Sequence, residues 1–322
     1  MTVRDLEASA DSAERYTVML AFACNFILLG SYYILRPVRD TVATIVGVGK
    51  LQELFTATFI GTIVASALYS ALASRIRLTR LLPGVFWFWL VNVVAFALLF
   101  RAAPESRALA AIYYVWFSVV NLFMVSVFWS LMVDVFSADQ ATRWFARIAA
   151  GGALGAIVGP LATRVLVKAL GLSGLMMLAA GGFGLVIVLV HMLMRQKERL
   201  RRGNAQTSRL DQALQGGAFE GFGKMLKSKY FLSQAAFILF MTWVNTVAYF
   251  CQTDLITRTY HGLAERAQAL ADIDLIVNVC TAAILLLGLG RFMRRFGVTA
   301  SLLLNPLLMV IAFIATAFSP HC

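Results

Sequence analysis

Charge is scarce in this chain. Only 14% of its 322 residues are Asp, Glu, Lys or Arg, while 60% are hydrophobic. A soluble domain of this length cannot hide so large an apolar fraction in its interior. Histidine is scarcer still: His191, His261 and His321 lie far apart, and no clustered His, Cys or Ser pattern of an enzyme nucleophile is present. The four cysteines, Cys24, Cys251, Cys280 and Cys322, form neither a CxxC pair nor a metal-ligand spacing. They read as small core residues, and neither a metal nor a cofactor is expected. The sequence lacks a GxxxxGK[ST] phosphate loop, which disfavours an ATP-driven pump within the chain. The polar, mixed-charge start "MTVRDLEASADSAERY" has none of the marks of a cleavable signal peptide. The alternation of a membrane barrel strand is missing too.

What remains is a succession of long apolar runs. A helix needs about 20 apolar residues to cross a hydrocarbon core. Nine runs qualify: 16–35, 51–73, 82–100, 108–134, 147–170, 174–194, 230–250, 272–290 and 298–318. The expected class is an all-α polytopic membrane protein with about nine spans. Net charge is +12, and roughly two-thirds of the 28 lysines and arginines fall on alternate loops. That side includes the N-terminal segment, "RIRLTR" and the basic 195–229 stretch. The bias predicts a cytoplasmic N-terminus and a cytoplasmic 195–229 segment, so the excess charge is topological and no nucleic-acid partner is expected. Within that segment "GAFEGFGKMLKSK" (217–229) interleaves apolar residues with lysines, as a helix lying on a leaflet does.

The long segment separates six spans from three. The first span, "AFACNFILLGSYYILRP", is similar to the seventh, "AAFILFMTWVNTVAYFCQT". One shift of 216 residues relates both Tyr33 to Tyr249 and Arg75 to Arg291. Two markers with one offset predict a duplicated 6 + 6 plan. The predicted divisions are a first bundle over 1–194, a connector over 195–229, and the first three helices of a second bundle over 230–322. By this count the chain stops on the outer side, with the second bundle incomplete.

Several motifs carry both a packing and a functional reading. In "GGALGAIVGP", Gly151, Gly155 and Gly159 share one helix face, which lets another backbone approach closely, and Pro160 removes a backbone donor. The face serves either static packing or a surface that slides during transport. Asp134 closes the fourth span. Asp139 and Arg143 are four apart and can pair on one turn, as a fixed salt bridge or as a cytoplasmic gate. Asn25, Asn121 and Asn245 fall near the midplane of spans one, four and seven, either as glue between helices or as cavity lining. Asp272 and Asp274 open the eighth span, where acidic residues suit a helix N-terminus. In "SYYILRPVRDTVA" an apolar run ends in Arg36, Arg39 and Asp40. Arg36 and Asp40 can pair if the helix continues past Pro37. Three charges in five residues exceed what a headgroup anchor requires.

The plan resembles the major facilitator superfamily. "GRFMRRFGVTASL" (290–302) is similar to the Gly- and Arg-rich cytoplasmic turn of those carriers, and "GAIVGP" (155–160) to the GxxxGP motif of their exchangers. "YYILRPVRDTVA" resembles the LRxxKD element of the ATP/ADP translocases, and "FWSLMVDVFSADQATRWFARIAAGGALGAIVGP" resembles that family's fourth-to-fifth helix region. The resemblance implies that Arg36 and Arg39 neutralise phosphates, with Arg39 standing where the family has lysine. It implies alternating access and nucleotide exchange, with Asn25, Asn121 and Asn245 on cavity-lining helices. The family's plastid members carry an acid ahead of the FW pair; here 113–128 contains none, and Asn121 is the nearest polar residue.

The expected function is thus a secondary carrier of a small anionic solute such as ATP or ADP, embedded in a bacterial inner membrane. A proton-coupled carrier of another metabolite or drug is the first alternative. A non-transporting membrane scaffold is the second.

Overall fold

The computed structural model describes residues 3–75, 78–201 and 228–287, with isolated positions further on (295, 297, 307, 308, 311 and 314). The ninth expected span, the "GRFMRRFGVTASL" turn and most of the 195–229 segment lie outside or almost outside the described residues. All regular structure among them is helical. In chain order it comprises α1 (Val3–Val46), a 3-10 turn (Val48–Lys50), α2 (Leu51–Arg75), α3 (Leu78–Ala102) and α4 (Arg107–Val135). Then come α5 (Ala138–Arg201), α6 (Lys229–Thr259) and α7 (Leu263–Leu287). Among the described residues, seven helices are long and apolar enough to cross a membrane.

α1 runs on where its hydropathy falls. The expected span stops at residue 35, yet the backbone stays helical through Pro37 to Val46. It stops at Gly47, whose φ of 95° is open to glycine and costly for other residues. Arg36, Arg39 and Asp40 therefore sit inside a helix, not past its end.

α5 contains the expected fifth and sixth spans as two arms. They meet at Gly171, where φ 66° and ψ −176° fall in a region that essentially only glycine occupies. Pro160 lies inside the first arm without a break in helical φ/ψ.

The core is the contact of α1 with both arms of α5, the most extensive helix–helix contact in the structure. The first arm runs parallel to α1. Added Cβ atoms would meet the carbonyl oxygen of Phe22 at Gly151, that of Phe26 at Gly155 and that of Gly30 at Gly159. Thr163 donates to the carbonyl of Ile34 one turn further along (3.4 Å). The GxxxG face thus lies backbone to backbone on α1, with Gly30 opposite Gly155. The second arm closes on the same region, where Gly182 faces the Ser31 hydroxyl. Beside α1, aromatic side chains of α3 and α4 fill the space: Phe96, Tyr113, Trp116 and Phe117 meet edge-on or tilted, and Tyr32 lies parallel to Phe117 at 5.4 Å.

α6 is different. Among its described residues only Met241, Thr253 and Ile256 are buried, and Tyr230, Leu239 and Trp243 are exposed. α7 is buried at Ala267, Leu270, Ala271 and Asp274, whereas Ile284, Leu285 and Leu286 are exposed. Both helices meet the rest of the molecule mainly at the end joined by the short 260–262 connection.

Candidate functional site

That end is where the charges of α1 come to rest. Side chains of neighbouring helical residues diverge, so Arg39 must fold back to reach its neighbour Asp40. Its Nε donates to Asp40 Oδ1 at 2.8 Å and its Nη2 donates to the same oxygen. The guanidinium also lies 5.3 Å from the ring centre of Tyr114 on α4, a cation–π distance. From α6 the Tyr249 hydroxyl donates to Asp40 Oδ1 at 2.9 Å. Asp40 is 8% exposed, so this carboxylate has exchanged water for three protein donor atoms.

Arg36 follows another course. It does not pair with Asp40, as their spacing had suggested. Its Nη1 lies 3.4 Å from Asp274 Oδ1 on α7, with Tyr33 beneath the guanidinium at 5.6 Å. Asp274 is only 6% exposed. Its other oxygen, Oδ2, is buried and has no hydrogen-bond partner among the described residues. Asp272 meets Arg164 of α5 at 3.1 Å. Asp272 and Asp274 therefore do not open a helix as expected. α7 begins at Leu263, and the two acids lie well inside it, engaged with other helices.

Two further contacts fasten this end. Arg266, at the start of α7, donates from Nη1 to Thr44 Oγ1 of α1 (2.9 Å) and from Nε to the Tyr260 carbonyl (2.8 Å). Phe55 of α2 packs edge-on to Tyr249 at 5.8 Å and lies 5.7 Å from Phe250. Deeper along the bundle, Asn278 Nδ2 donates to the Ala156 carbonyl of α5 at 2.9 Å.

The remaining expected residues are dispersed. Asn25 is buried and donates from Nδ2 to the Ile148 carbonyl at 2.9 Å. It also lines a cavity of about 220 Å³ with Leu28, Leu29, Val125, Phe128, Trp129 and Ala149. Asn121 is half-buried on α4, and Asn245 is exposed on α6. No hydrogen bond among the described residues joins any of the three to the arginines. Asp134 is half-buried in the last turn of α4 and Asp139 is exposed in the first turn of α5. Arg143 does not pair with Asp139. It meets Glu14 of α1 at 3.7 Å, and Trp144 Nε1 donates to the same carboxylate. Of the three described cysteines Cys24 is buried, whereas Cys251 and Cys280 are exposed, against the expectation of core packing.

The sequence reading missed Tyr114, Tyr249 and Arg266 as members of this cluster, and it placed Asp274 at a helix cap. A signal for the tyrosines existed: Tyr249 is the 216-residue counterpart of Tyr33, and polar-tipped rings inside apolar spans must find partners. No such signal marks Arg266.

The arrangement joins α1 to α7 through the Arg36–Asp274 ion pair and the Arg266 clamp on Thr44, and to α6 through the Tyr249 hydroxyl on Asp40, all at one end of the bundle. Arg36, Arg39, Asp40 and Asp274 balance one another in charge. A model of the Major Facilitator Superfamily matches residues 21–322. No curated protein and no solved structure matches the chain. With that match over nearly the whole chain, and with membrane-capable helices on both sides of the charged cluster, the protein belongs to the major facilitator superfamily, whose multi-pass secondary transporters carry small solutes across membranes.

Proposed function

We propose that this protein carries an anionic solute by alternating access, in exchange for a second anion, and that Arg36 and Arg39 are the cations that receive it. The observation behind this reading is the half-buried pair of arginines on α1 at the point where α1 meets α6 and α7. Arginine presents a planar fork of donors suited to phosphate or carboxylate. A charge within membrane-spanning helices is costly and persists where it serves a pathway. The likeness of "YYILRPVRDTVA" to the ATP/ADP translocases makes nucleotides the first solutes to test. In this reading the bundles are 1–194 and 230–322, linked by 195–229, and the cluster is the closed outer gate. Asp134, Asp139 and Arg143 belong to the opposite, cytoplasmic end. The Gly151, Gly155, Gly159 and Pro160 face is the surface on which α1 and α5 pack as the carrier rocks.

Counter-exchange in proteoliposomes with labelled ATP, ADP and phosphate tests the solute. Arg36→Ala should lower anion exchange about 10- to 100-fold, the worth of one charge-assisted hydrogen bond. Undiminished exchange by folded Arg36→Ala protein would remove Arg36 from the pathway. Absence of exchange with every anion would remove the solute class.

The orientation has its own test. The bias of basic residues puts the N-terminus and the 195–229 segment in the cytoplasm of a bacterial inner membrane. A cysteine introduced at Gly203 should be protected from an impermeant thiol reagent in intact cells and react after the membrane is opened. Reaction in intact cells would invert the topology.

A proton-coupled carrier is a second reading with an observation of its own. Asp40 and Asp274 are buried carboxylates among membrane-spanning helices, which is where a coupling proton would bind.

A further inference from the structure

Pro160 leaves a gap in its own helix that another helix fills. Proline has no N–H, so the carbonyl four residues earlier, that of Ala156, lacks its usual helix donor, and the ring presses that carbonyl off the helix axis. Ala156 is buried, and α5 stays helical through Pro160. A buried carbonyl without a donor is costly, and among membrane helices a neighbour has to supply one. Asn278 of α7 does so: its Nδ2 donates to the Ala156 oxygen at 2.9 Å.

The place of that bond matters as much as its chemistry. The pairs Arg164–Asp272 and Ala156–Asn278 set α5 and α7 antiparallel. The same register puts Ala149 opposite Leu285, and both are exposed, as are Val279, Cys280 and Thr281. α7 therefore parts from α5 just past Asn278. Next to Pro160, α5 is also seated on α1, where Gly159 lies against the Gly30 carbonyl and Tyr33. We propose that Asn278 is a positioning residue for transport. Its amide caps the carbonyl that Pro160 frees, and the bond stays made as the pivot about which α7 turns when the pairs Arg36–Asp274 and Arg164–Asp272 separate.

The contacts differ in what separation costs. Arg36, Arg164 and Asp272 are partly exposed, so water can replace the partner each loses. Asp274 is uncovered as α1 and α7 move apart. The Ala156 carbonyl is buried and has no helix N–H in reserve, so giving up Asn278 would leave it without a donor. Displacement also grows with distance from a pivot. Asp274 and Asp272 lie about 6 and 9 Å along α7 from Asn278, towards the charged end. A small rotation at Asn278 opens both pairs and leaves the amide in place.

The pivot rests on the alternating-access reading, but its test uses no solute, so the anion assignment and the pivot can fail separately. Thermal unfolding of Asn278→Ala, Pro160→Ala and the double variant reads the cap. The fall in Tm caused by Asn278→Ala should shrink to about half or less in Pro160→Ala protein, where the helix again has a donor for the carbonyl of residue 156. Should Asn278→Ala alone not fold, the double variant should. Equal falls in both backgrounds, or a double variant that fails to fold as Asn278→Ala does, overturn the cap. Distances between spin labels read the pivot, in the whole chain with its own cysteines replaced and in nanodiscs. Leu154→Cys and Val279→Cys flank the pivot, and Lys50→Cys and His261→Cys mark the charged end; all four are exposed positions. With Arg36→Ala and Arg164→Ala together, the charged-end distance should gain a longer component while the pivot distance stays as in the parent. Adding Asn278→Ala should broaden the pivot distance. A pivot distance that lengthens with the other, one indifferent to Asn278→Ala, or a charged end that does not open overturns the pivot. Distances that behave as expected, in a protein that exchanges neither labelled ATP, ADP nor phosphate, overturn the anion reading and leave the pivot standing.

Discussion

Arg39→Ala is expected to be among the most damaging single changes in this protein, costing about 3–5 kcal/mol, the usual penalty for leaving one partner of a buried ion pair without the other. Asp40 would keep the Tyr249 hydroxyl but lose both guanidinium donors and the one positive charge bonded to it among the described residues. At 8% exposure it has little water to turn to. Arg36→Ala should cost less, because its pair is longer and Arg36 is more exposed. Thermal unfolding of the purified protein in one detergent orders the two. The double variant Arg39→Ala/Asp40→Asn adds a sharper comparison. If the penalty comes from an orphaned charge, removing the charge recovers part of it, and the double variant is more stable than Arg39→Ala alone. A single variant as stable as the parent would mean that the cluster contributes nothing to the fold.

The second large effect concerns the seam between α1 and α5. A methyl group at Gly155 would overlap the carbonyl oxygen of Phe26 and lie 2.8 Å from the Gly30 nitrogen, both backbone atoms that no rotamer change can move aside. Gly155→Ala should therefore push two helices apart and cost about 1–3 kcal/mol, the range for overpacking a tight interior. Gly181 and Gly184, on the second arm of α5, have nothing within 4 Å of an added Cβ. Alanine at either should be neutral or stabilising by up to about 1 kcal/mol, because alanine is the better helix former. The same unfolding measurement separates them. A Gly155→Ala protein that gains stability as Gly181→Ala does would show that the seam has room to relax.

The architecture was more legible in the sequence than the site. Composition and run length announced membrane helices, because the energetics of a bilayer act on every residue and leave a mark of low resolution everywhere. The GxxxG spacing likewise marked Gly151, Gly155 and Gly159 as a close-packing face. The structure supplies the partner, α1, which the spacing could not. Local spacing misled wherever charge was concerned. Arg36 and Asp40, and Asp139 and Arg143, stand four apart, yet Arg36 and Arg143 pair with Asp274 and Glu14. An i, i+4 pair adds only a few tenths of a kcal/mol on a helix surface. For the buried Asp274 a partner across the interface relieves an otherwise uncompensated desolvation, so tertiary contact decides there; Arg143, 62% exposed, has no such penalty to relieve. The end of α1 was misjudged for a related reason. Hydropathy drops at Arg36, but polar groups partnered by α6 and α7 let the helix run on to Gly47. What stops it is a backbone angle rather than a charge.

The way α6 is held has a mechanical consequence. Apart from the buried Met241, its contacts lie between Tyr249 and Ile256, near one end of a helix that begins at Lys229. At 1.5 Å per residue, about 30 Å of helix lies between Lys229 and Tyr249. A tilt of about 10° at the charged cluster would swing the far end by about 5 Å, comparable to one helical turn. Breaking a contact a few ångströms long at one end of α6 is thus enough to move its other end by more than the contact itself. The helix acts as a lever whose fulcrum is one tyrosine hydroxyl on a carboxylate, with the rings packed around it.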